Sequence, residues 1–417
     1  MAMEAPPEEV YLFVAGTRPE AVKLAPVILA LQAQGCATRL VATGQHRELF
    51  HDALGSFGLG ADADLAIMRR GQSPAGAVAA MLPALTQQIN RYRPATVIVQ
   101  GDTASAFAGA QAAVYARCPL VHVEAGLRTG HGEPFPEEMH RRAIAQLADL
   151  HFAPTLAAAA ALRREGVARH CIHVTGNTGI DALHLAAARL AGDAVQQAAL
   201  RKRFAGIDPR RPLLLATVHR RENHGARLDS VLAALAVLAE EAEIVLPVHP
   251  HPAIAGPINA MLGSRAGVHL LPPLDYTAFL WLLQRATLVL TDSGGVQEEA
   301  PALGTPVLVL RDVTERSEGI VSGNARLIGT DTTAILTAVS DLLGDAGARA
   351  RMSEAALPYG AGDAARRIVA VLRARFGPGA NGGAVASMLS PSAPPPAPAS
   401  LPQTSGNSSR SGANRRW

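Results

Sequence analysis

Eleven short apolar runs, each separated from the next by a stretch of helix-like spacing, limit what this chain can fold into more than any single motif does. They lie at 10–14, 37–42, 96–99, 120–123, 151–153, 172–174, 213–216, 244–248, 268–271, 288–290 and 307–310. Short apolar strands that alternate with helices mean parallel sheets whose crossovers are helical, with both sheet faces buried. Hydrophobic residues at 48% and aromatics at only 4% agree, because Ala, Leu, Val and Gly suit helices packed on buried strands and not an all-β fold. Eleven strands exceed one small open sheet, and 417 residues suffice for two cores.

The Ala-rich polar segment 180–208 reads as a helix leaving the first sheet, and Asp208-Pro209 and Pro212 mark entry into the second. The expected fold is therefore α/β, with two doubly wound, Rossmann-like domains facing a central cleft. Residues 10–178 form the first after an N-terminal extension over 1–9, and residues 179–360 form the second, nucleotide-binding one. Residues 361–377 read as a helix able to cross back to the first domain. From Pro378 the composition shifts to Pro, Ser, Ala, Gly and Asn without an acidic residue, so 378–417 is expected to be a disordered tail.

Several functional classes are disfavoured at once. A net charge of +3 without a basic block in the folded part argues against a nucleic-acid partner. The three cysteines, Cys36, Cys118 and Cys171, are too scattered for a metal cluster or a disulfide framework. No apolar run approaches the roughly 20 residues that span a bilayer, and the acidic, proline-containing start is unlike a signal peptide. A soluble, cytoplasmic protein without membrane attachment is expected.

The chemistry concentrates where apolar runs end. Asp292-Ser293-Gly294-Gly295-Val296-Gln297-Glu298-Glu299 follows the run 286–290 and opens a helix with two glycines, leaving backbone N–H groups and the positive helix end to face a phosphate. A carboxylate one turn on can accept from ribose hydroxyls. There is no Gly-Lys-Thr and no three-glycine spacing, so neither an ATP-hydrolysing P-loop nor a dinucleotide fingerprint is present. The first run leads into Gly16-Thr17-Arg18-Pro19-Glu20, where Arg18 and Lys23 either face an anion or decorate a solvated helix start.

Asp102 and Glu124 follow the third and fourth runs, at strand ends where open α/β sheets keep their ligands. Asp102 can alternatively serve as a helix N-cap, whereas Glu124, straight after buried valines, needs a partner or a function. Pro136-Glu137-Glu138 follows a glycine-rich loop; Glu137 is a third acid for the cleft or a helix-start charge. Three converging carboxylates supply candidate proton donors and acceptors. In the second half His219 and Arg220 end the run 213–216, and His249 and His251 repeat that placement, suiting an anion better than a metal since no third ligand is evident. Tyr276 and Phe279 offer rings to a base, or pack in the core. Arg316 adds a cation near the Gly294 helix.

Taken together, Gly16-Thr17-Arg18-Pro19-Glu20, Gln45-His46-Arg47, Gly101-Asp102-Thr103, His122-Val123-Glu124-Ala125-Gly126-Leu127-Arg128, Pro136-Glu137-Glu138, Thr175-Gly176-Asn177-Thr178, His219-Arg220-Arg221-Glu222, the Asp292–Glu299 run and Thr314-Glu315-Arg316 resemble, in order, the bacterial non-hydrolysing UDP-N-acetylglucosamine 2-epimerases. That resemblance implies a GT-B-like fold, a homodimer, and interconversion of UDP-GlcNAc and UDP-ManNAc without nicotinamide or any other cofactor. The route it implies is elimination of UDP to a 2-acetamidoglucal, followed by re-addition on the other face. By resemblance Asp102, Glu124, Glu137 and His219 are catalytic. Arg18, Lys23, Ser293, Gly294 and Gly295 hold the diphosphate, Glu299 the ribose, and Phe279 and Arg316 complete the nucleotide pocket. Gln45, Gln72, Glu138, Arg220 and His249 match positions where some members bind a second UDP-GlcNAc as activator, although Gly71 stands where activator-dependent members often carry Arg. No metal is implied. A 2-epimerase of another UDP-2-acetamido sugar, such as a diacetamido-uronate, would carry nearly the same motifs. A GT-B glycosyltransferase would need an acceptor site and has no use for three carboxylates in its first domain.

Overall fold

The computed structural model describes residues 9–45, 47–68, 71–130, 132, 134–314, 316–354 and 358–377. The N-terminal extension up to residue 8, the tail from Pro378, and the motif members His46 and Glu315 lie outside them.

The first half runs β1 (Val10–Ala15), α1 (Arg18–Gln32), β2 (Ala37–Ala42), α2 (Arg47–Ser56), β3 (Ala63–Asp64), α3 (Pro74–Tyr92), β4 (Thr96–Gln100), α4 (Ala104–Tyr115), β5 (Leu120–Val123), α5 (Glu137–Leu147), β6 (Leu150–Ala153), α6 (Leu156–Arg164) and β7 (Ile172–Val174). Helices α7 (Thr178–Gly192) and α8 (Ala194–Arg203) then lead to the second half. That half runs β8 (Leu213–Thr217), α9 (Ala226–Leu238), β9 (Glu243–Pro247), α10 (Pro252–Leu262), β10 (Val268–Leu271), α11 (Tyr276–Leu283), β11 (Leu288–Thr291), α12 (Gly294–Ala302), β12 (Val307–Val309), α13 (Ser317–Val321), β13 (Ala325–Leu327), α14 (Thr332–Gly344) and α15 (Ala346–Ser353), and α16 (Ala364–Phe376) closes the described chain.

Both sheets are wholly parallel, ordered β3-β2-β1-β4-β5-β6-β7 and β10-β9-β8-β11-β12-β13. The strand order reverses between β1 and β4 in one sheet and between β8 and β11 in the other. Such switch points open a crevice beyond the strand carboxyl ends, and four of the motifs sit there: Gly16-Thr17-Arg18 after β1, Gly101-Asp102 after β4, His219 after β8 and Asp292-Ser293 after β11.

Among the described residues there are thirteen strands, two more than the apolar runs indicate. β3 and β13 were missed because they have two and three residues and are only partly buried, so neither makes an apolar run. The helix expected over 180–208 is two helices, broken at Asp193, whose side chain accepts from Gln196 N and starts the second.

α16 packs on α1 and α7. Its Ile368, Val369 and Leu372 lie fully buried in the same cluster as Tyr11, Phe13 and Leu24 of the first half. Its first amides are held by buried Asp181 of α7, which accepts from Ala364 N and Ala365 N at 3.2 and 2.9 Å. Tyr276 and Leu280 of α11 join that cluster, so the two halves also meet through an apolar contact. Among the described residues no helix is long and apolar enough to cross a membrane.

Candidate active site

The loop after β1 is organised by Glu20, one turn into α1. Its buried carboxylate accepts from Gly16 N, Thr17 N, Thr17 Oγ1 and, across the switch point, Thr103 Oγ1 at 2.6 Å. Burial outweighs these donors and raises its pKa to about 7. Gly16 admits no side chain, because a Cβ would stand 2.0 Å from Thr43 Oγ1. The chain is thereby aimed so that Arg18 reaches the second half, donating to Leu274 O at 2.8 Å with its guanidinium 5.9 Å from the Tyr276 ring.

Lys23, one turn further along α1, links the two halves. Its ammonium is bonded to Glu124 from β5's end and lies 3.4 Å from Glu298 of α12. Burial alone would depress this ammonium, but the two carboxylates more than offset that and hold its pKa above the ordinary lysine value. Gln100, at the end of β4, donates to the other Glu124 oxygen. Glu124 has φ 61°, a left-handed conformation that costs a residue with a Cβ about 1–2 kcal/mol and is met mostly where function holds it.

Asp102 does not cap α4; that role falls to Thr103, whose Oγ1 accepts from Ala106 N. The Asp102 carboxylate instead takes Arg141 of α5 at 2.6 Å. Arg141 also pairs at 3.1 Å with Glu138, which is buried and accepts from Thr129 N and Arg142 as well. His140 Nδ1 is 2.8 Å from the Asp102 carbonyl and His122 Nε2 is 2.8 Å from that of Gly101, so two imidazoles fix this turn as N–H donors. Burial lowers the His122 pKa to about 3 and keeps it neutral. Glu137 is the first residue of α5, half-buried, with no hydrogen-bond partner among the described residues. It therefore sits at a helix start, where the dipole favours a carboxylate.

On the opposite wall, Ser293 begins α12 without a side-chain cap, which leaves the first-turn amides of Gly294 and Gly295 for a ligand. An added Cβ at Gly295 meets nothing within 4 Å, whereas one at Gly294 would lie 3.0 Å from Arg316 Cζ. Arg316 therefore covers the helix start, held there by its Nε donating to Glu298 at 2.9 Å. Asp292, fully buried, accepts from His219 N, Arg220 N and Asn223 Nδ2, with His219 Nδ1 at 3.2 Å. Burial opposes its charge, but the His219 and backbone contacts hold its pKa below the usual carboxylate value.

Glu299 lies beside Arg18 and the Tyr276 phenol; burial raises its pKa to about 7 and raises that of Tyr276 further. Phe279 belongs to the same buried cluster as Leu213, Trp281 and Val289.

His219, His224, His249, His251 and Ile254 line a cavity of about 430 Å³. Burial, and after it the neighbouring His219, His251 and His224, depress the His249 pKa. Among the described residues no group of three or more His, Cys, Asp or Glu is arranged to hold a metal. On the other side Gln45 accepts from Ser105 Oγ at 3.0 Å, and Gln72 donates to Gly76 O before α3.

The structure thus joins Lys23 and Glu124 directly to the Gly294 helix through Glu298 and Arg316, and ties Arg18 to the same side. Asp102 and Glu138 form a neighbouring group through Arg141. Sequence reasoning passed over Glu298, Asn177, Arg141, Gln100 and Asp292 as individual site residues. Glu298 carried a signal, four residues after Gly294 and hence on the same helix face.

The chain is similar to known proteins over most of its length. The family model for UDP-N-acetylglucosamine 2-epimerase matches residues 29–373. A UDP-N-acetylglucosamine 2-epimerase of Yersinia pestis is 42% identical over 367 residues, 87% of this chain and 98% of that protein. The crystal structure of UDP-GlcNAc 2-epimerase from Neisseria meningitidis bound to UDP-GlcNAc matches with a TM-score of 0.82 at 38% identity, covering 87% of this chain and 98% of that one. The Methanocaldococcus jannaschii UDP-GlcNAc 2-epimerase in complex with UDP-GlcNAc and UDP matches at 0.74 and 30% identity, again over 87% and 98%. With two doubly wound sheets arranged as in these GT-B-like structures, this chain belongs to the UDP-N-acetylglucosamine 2-epimerase family.

Proposed function

We propose that this protein is a non-hydrolysing UDP-N-acetylglucosamine 2-epimerase that interconverts UDP-GlcNAc and UDP-ManNAc. The observation that carries the reading is Lys23, which binds Glu124 on one wall and faces Glu298 at the start of α12 on the other. Acids that move a proton thereby stand beside amides and cations that hold a departing diphosphate.

In this reading the diphosphate sits on the amides of Gly294 and Gly295 and the hydroxyl of Ser293, among Arg18, Lys23, Arg316 and His219, with Glu299 toward the ribose and Phe279 behind the base. A carboxylate among Asp102, Glu124 and Glu137 removes the C2 proton. The C–H electron pair forms the C1–C2 double bond as the C1–O bond breaks, releasing UDP and leaving 2-acetamidoglucal. UDP then adds back to C1 while a second acid protonates C2 on the opposite face, which inverts that centre. No redox step occurs and no cofactor is needed.

Gln45, Glu138, Arg220, His249 and Gln72 are carried forward as positions for a second nucleotide sugar. A homodimeric, cytoplasmic enzyme divided into residues 10–178 and 179–360, with 361–377 returning to the first domain, completes the proposal. Proton NMR of the full-length protein with UDP-GlcNAc in deuterated water tests it. UDP-ManNAc bearing deuterium at C2 is the expected product. Accumulation of free ManNAc with UDP would mean hydrolysis, and an unchanged spectrum would exclude UDP-GlcNAc as substrate.

A further inference from the structure

Glu298 is only 4% exposed, one turn into α12, and its two oxygens serve three parts of the chain. Oε2 accepts from Asn177 Nδ2 at 2.7 Å and faces Lys23 Nζ at 3.4 Å, while Oε1 accepts from Arg316 Nε at 2.9 Å. Asn177 is itself fixed, since its Oδ1 caps α7 by accepting from Gly179 N at 2.8 Å. A buried carboxylate needs such partners to stay ionised. Beside a diphosphate subsite, however, it repels the ligand it adjoins. Its contribution must then come through the cations it holds. Lys23 reaches it from the first half and Arg316 from the second, so both meet on Glu298, one turn beyond the uncapped start of α12. With Glu298 absent, Lys23 would be drawn to Glu124 alone and the Arg316 Nε would lose this carboxylate, so the two cations would no longer be held to a common point and ligand binding would have to align them.

We propose that Glu298 is a positioning residue: it holds Lys23 and Arg316 in one register across the cleft, so that a nucleotide diphosphate meets both cations already aligned. This rests on the reading of Lys23 and Arg316 as diphosphate contacts.

Positioning and bare electrostatics predict opposite signs, which makes the inference testable with UDP as the probe. Glu298→Gln keeps the volume, removes the charge and turns an amide N–H toward one of the three donors. If Glu298 were merely a nearby negative charge, the variant would bind UDP more tightly. Positioning predicts binding weaker by roughly tenfold, with kcat/KM falling in parallel. Isothermal titration of UDP into full-length wild type, Glu298→Gln, Lys23→Met, Arg316→Met and the Glu298→Gln/Lys23→Met double variant gives the affinities and the coupling between Glu298 and Lys23, and initial rates with UDP-GlcNAc give kcat/KM. In the double variant the Glu298→Gln effect should shrink, because one of the cations it aligns is gone; general damage to the fold would persist undiminished.

Unchanged or tighter UDP binding by Glu298→Gln, with Lys23→Met and Arg316→Met both weakened, overturns the positioning role and leaves the diphosphate reading intact. Wild-type affinity in Lys23→Met and Arg316→Met overturns that reading, and the proposal with it. Should circular dichroism show Glu298→Gln unfolded, Glu298→Asp carries the same test: it keeps the charge on a shorter arm, and wild-type affinity there counts equally against the role.

Discussion

Glu124 combines a left-handed backbone, a bond to Lys23 and a bond from Gln100, a degree of constraint suited to an acid or base that must not wander. Glu124→Gln should lower epimerisation by about 10²–10⁴-fold, the range for loss of a general base. The check is loss of C2 deuterium incorporation in NMR while circular dichroism stays unchanged. Glu20 gives a prediction of pH dependence. Burial raises its folded pKa from 4.5 to about 7, so its contribution to stability is fully present below 4.5 and lost as pH rises through 7. Wild type should therefore lose ground to Glu20→Gln in melting temperature as pH rises from 4.5 to 8, and a constant difference would contradict this. At this scale Glu124 was legible as a carboxylate in need of a partner, because it stands right after an apolar run, whereas Asp102, three residues past its run, also read as a helix N-cap. Arg141 and Asn177 were not, since their carboxylate partners lie 39 and 121 residues away in sequence and only the folded chain pairs them.

Among the elements, the glycines at two helix starts separate fold from function. Gly16→Ala drives a Cβ into Thr43 and Ser105, with contacts of 2.0 and 2.4 Å, and should cut the melting temperature and the soluble yield. Gly295→Ala opens onto free space, so its melting temperature should match wild type. Titration should nevertheless show weaker UDP binding, because the new methyl stands where phosphate oxygens approach the first turn of α12. If Gly295→Ala binds UDP normally, the diphosphate lies elsewhere. Strands with several buried apolar residues could be read directly from the sequence. β3 and β13 could not, being too short and too exposed to produce a run, and the α7–α8 break is set by a single capping aspartate.

For the molecule as a whole, the return of α16 makes the stability of the first half depend on the last described helix. Leu372 is fully buried against α1 and α7 residues, so Leu372→Ala should cost about 2–5 kcal/mol and lower the urea midpoint accordingly. A shift near zero would mean that α16 is only lightly docked. This dependence joins residues at opposite ends of the described chain, so no local pattern measures it.

The same return has a mechanical meaning. The chain passes between its halves along α7 and again at 359–363, and the two passages touch: Asn177 N donates to Tyr359 O at 2.9 Å, and a Cβ at Gly360 would stand 3.3 Å from Gly176 Cα. A body tied by one strand can both swing and swivel. Tied by two strands bonded side by side, it keeps the swing and loses most of the swivel, like a door on a double-leaf hinge. Any relative motion of the two halves would then be confined at this double crossing, which would keep the Gly294 helix in register with Lys23.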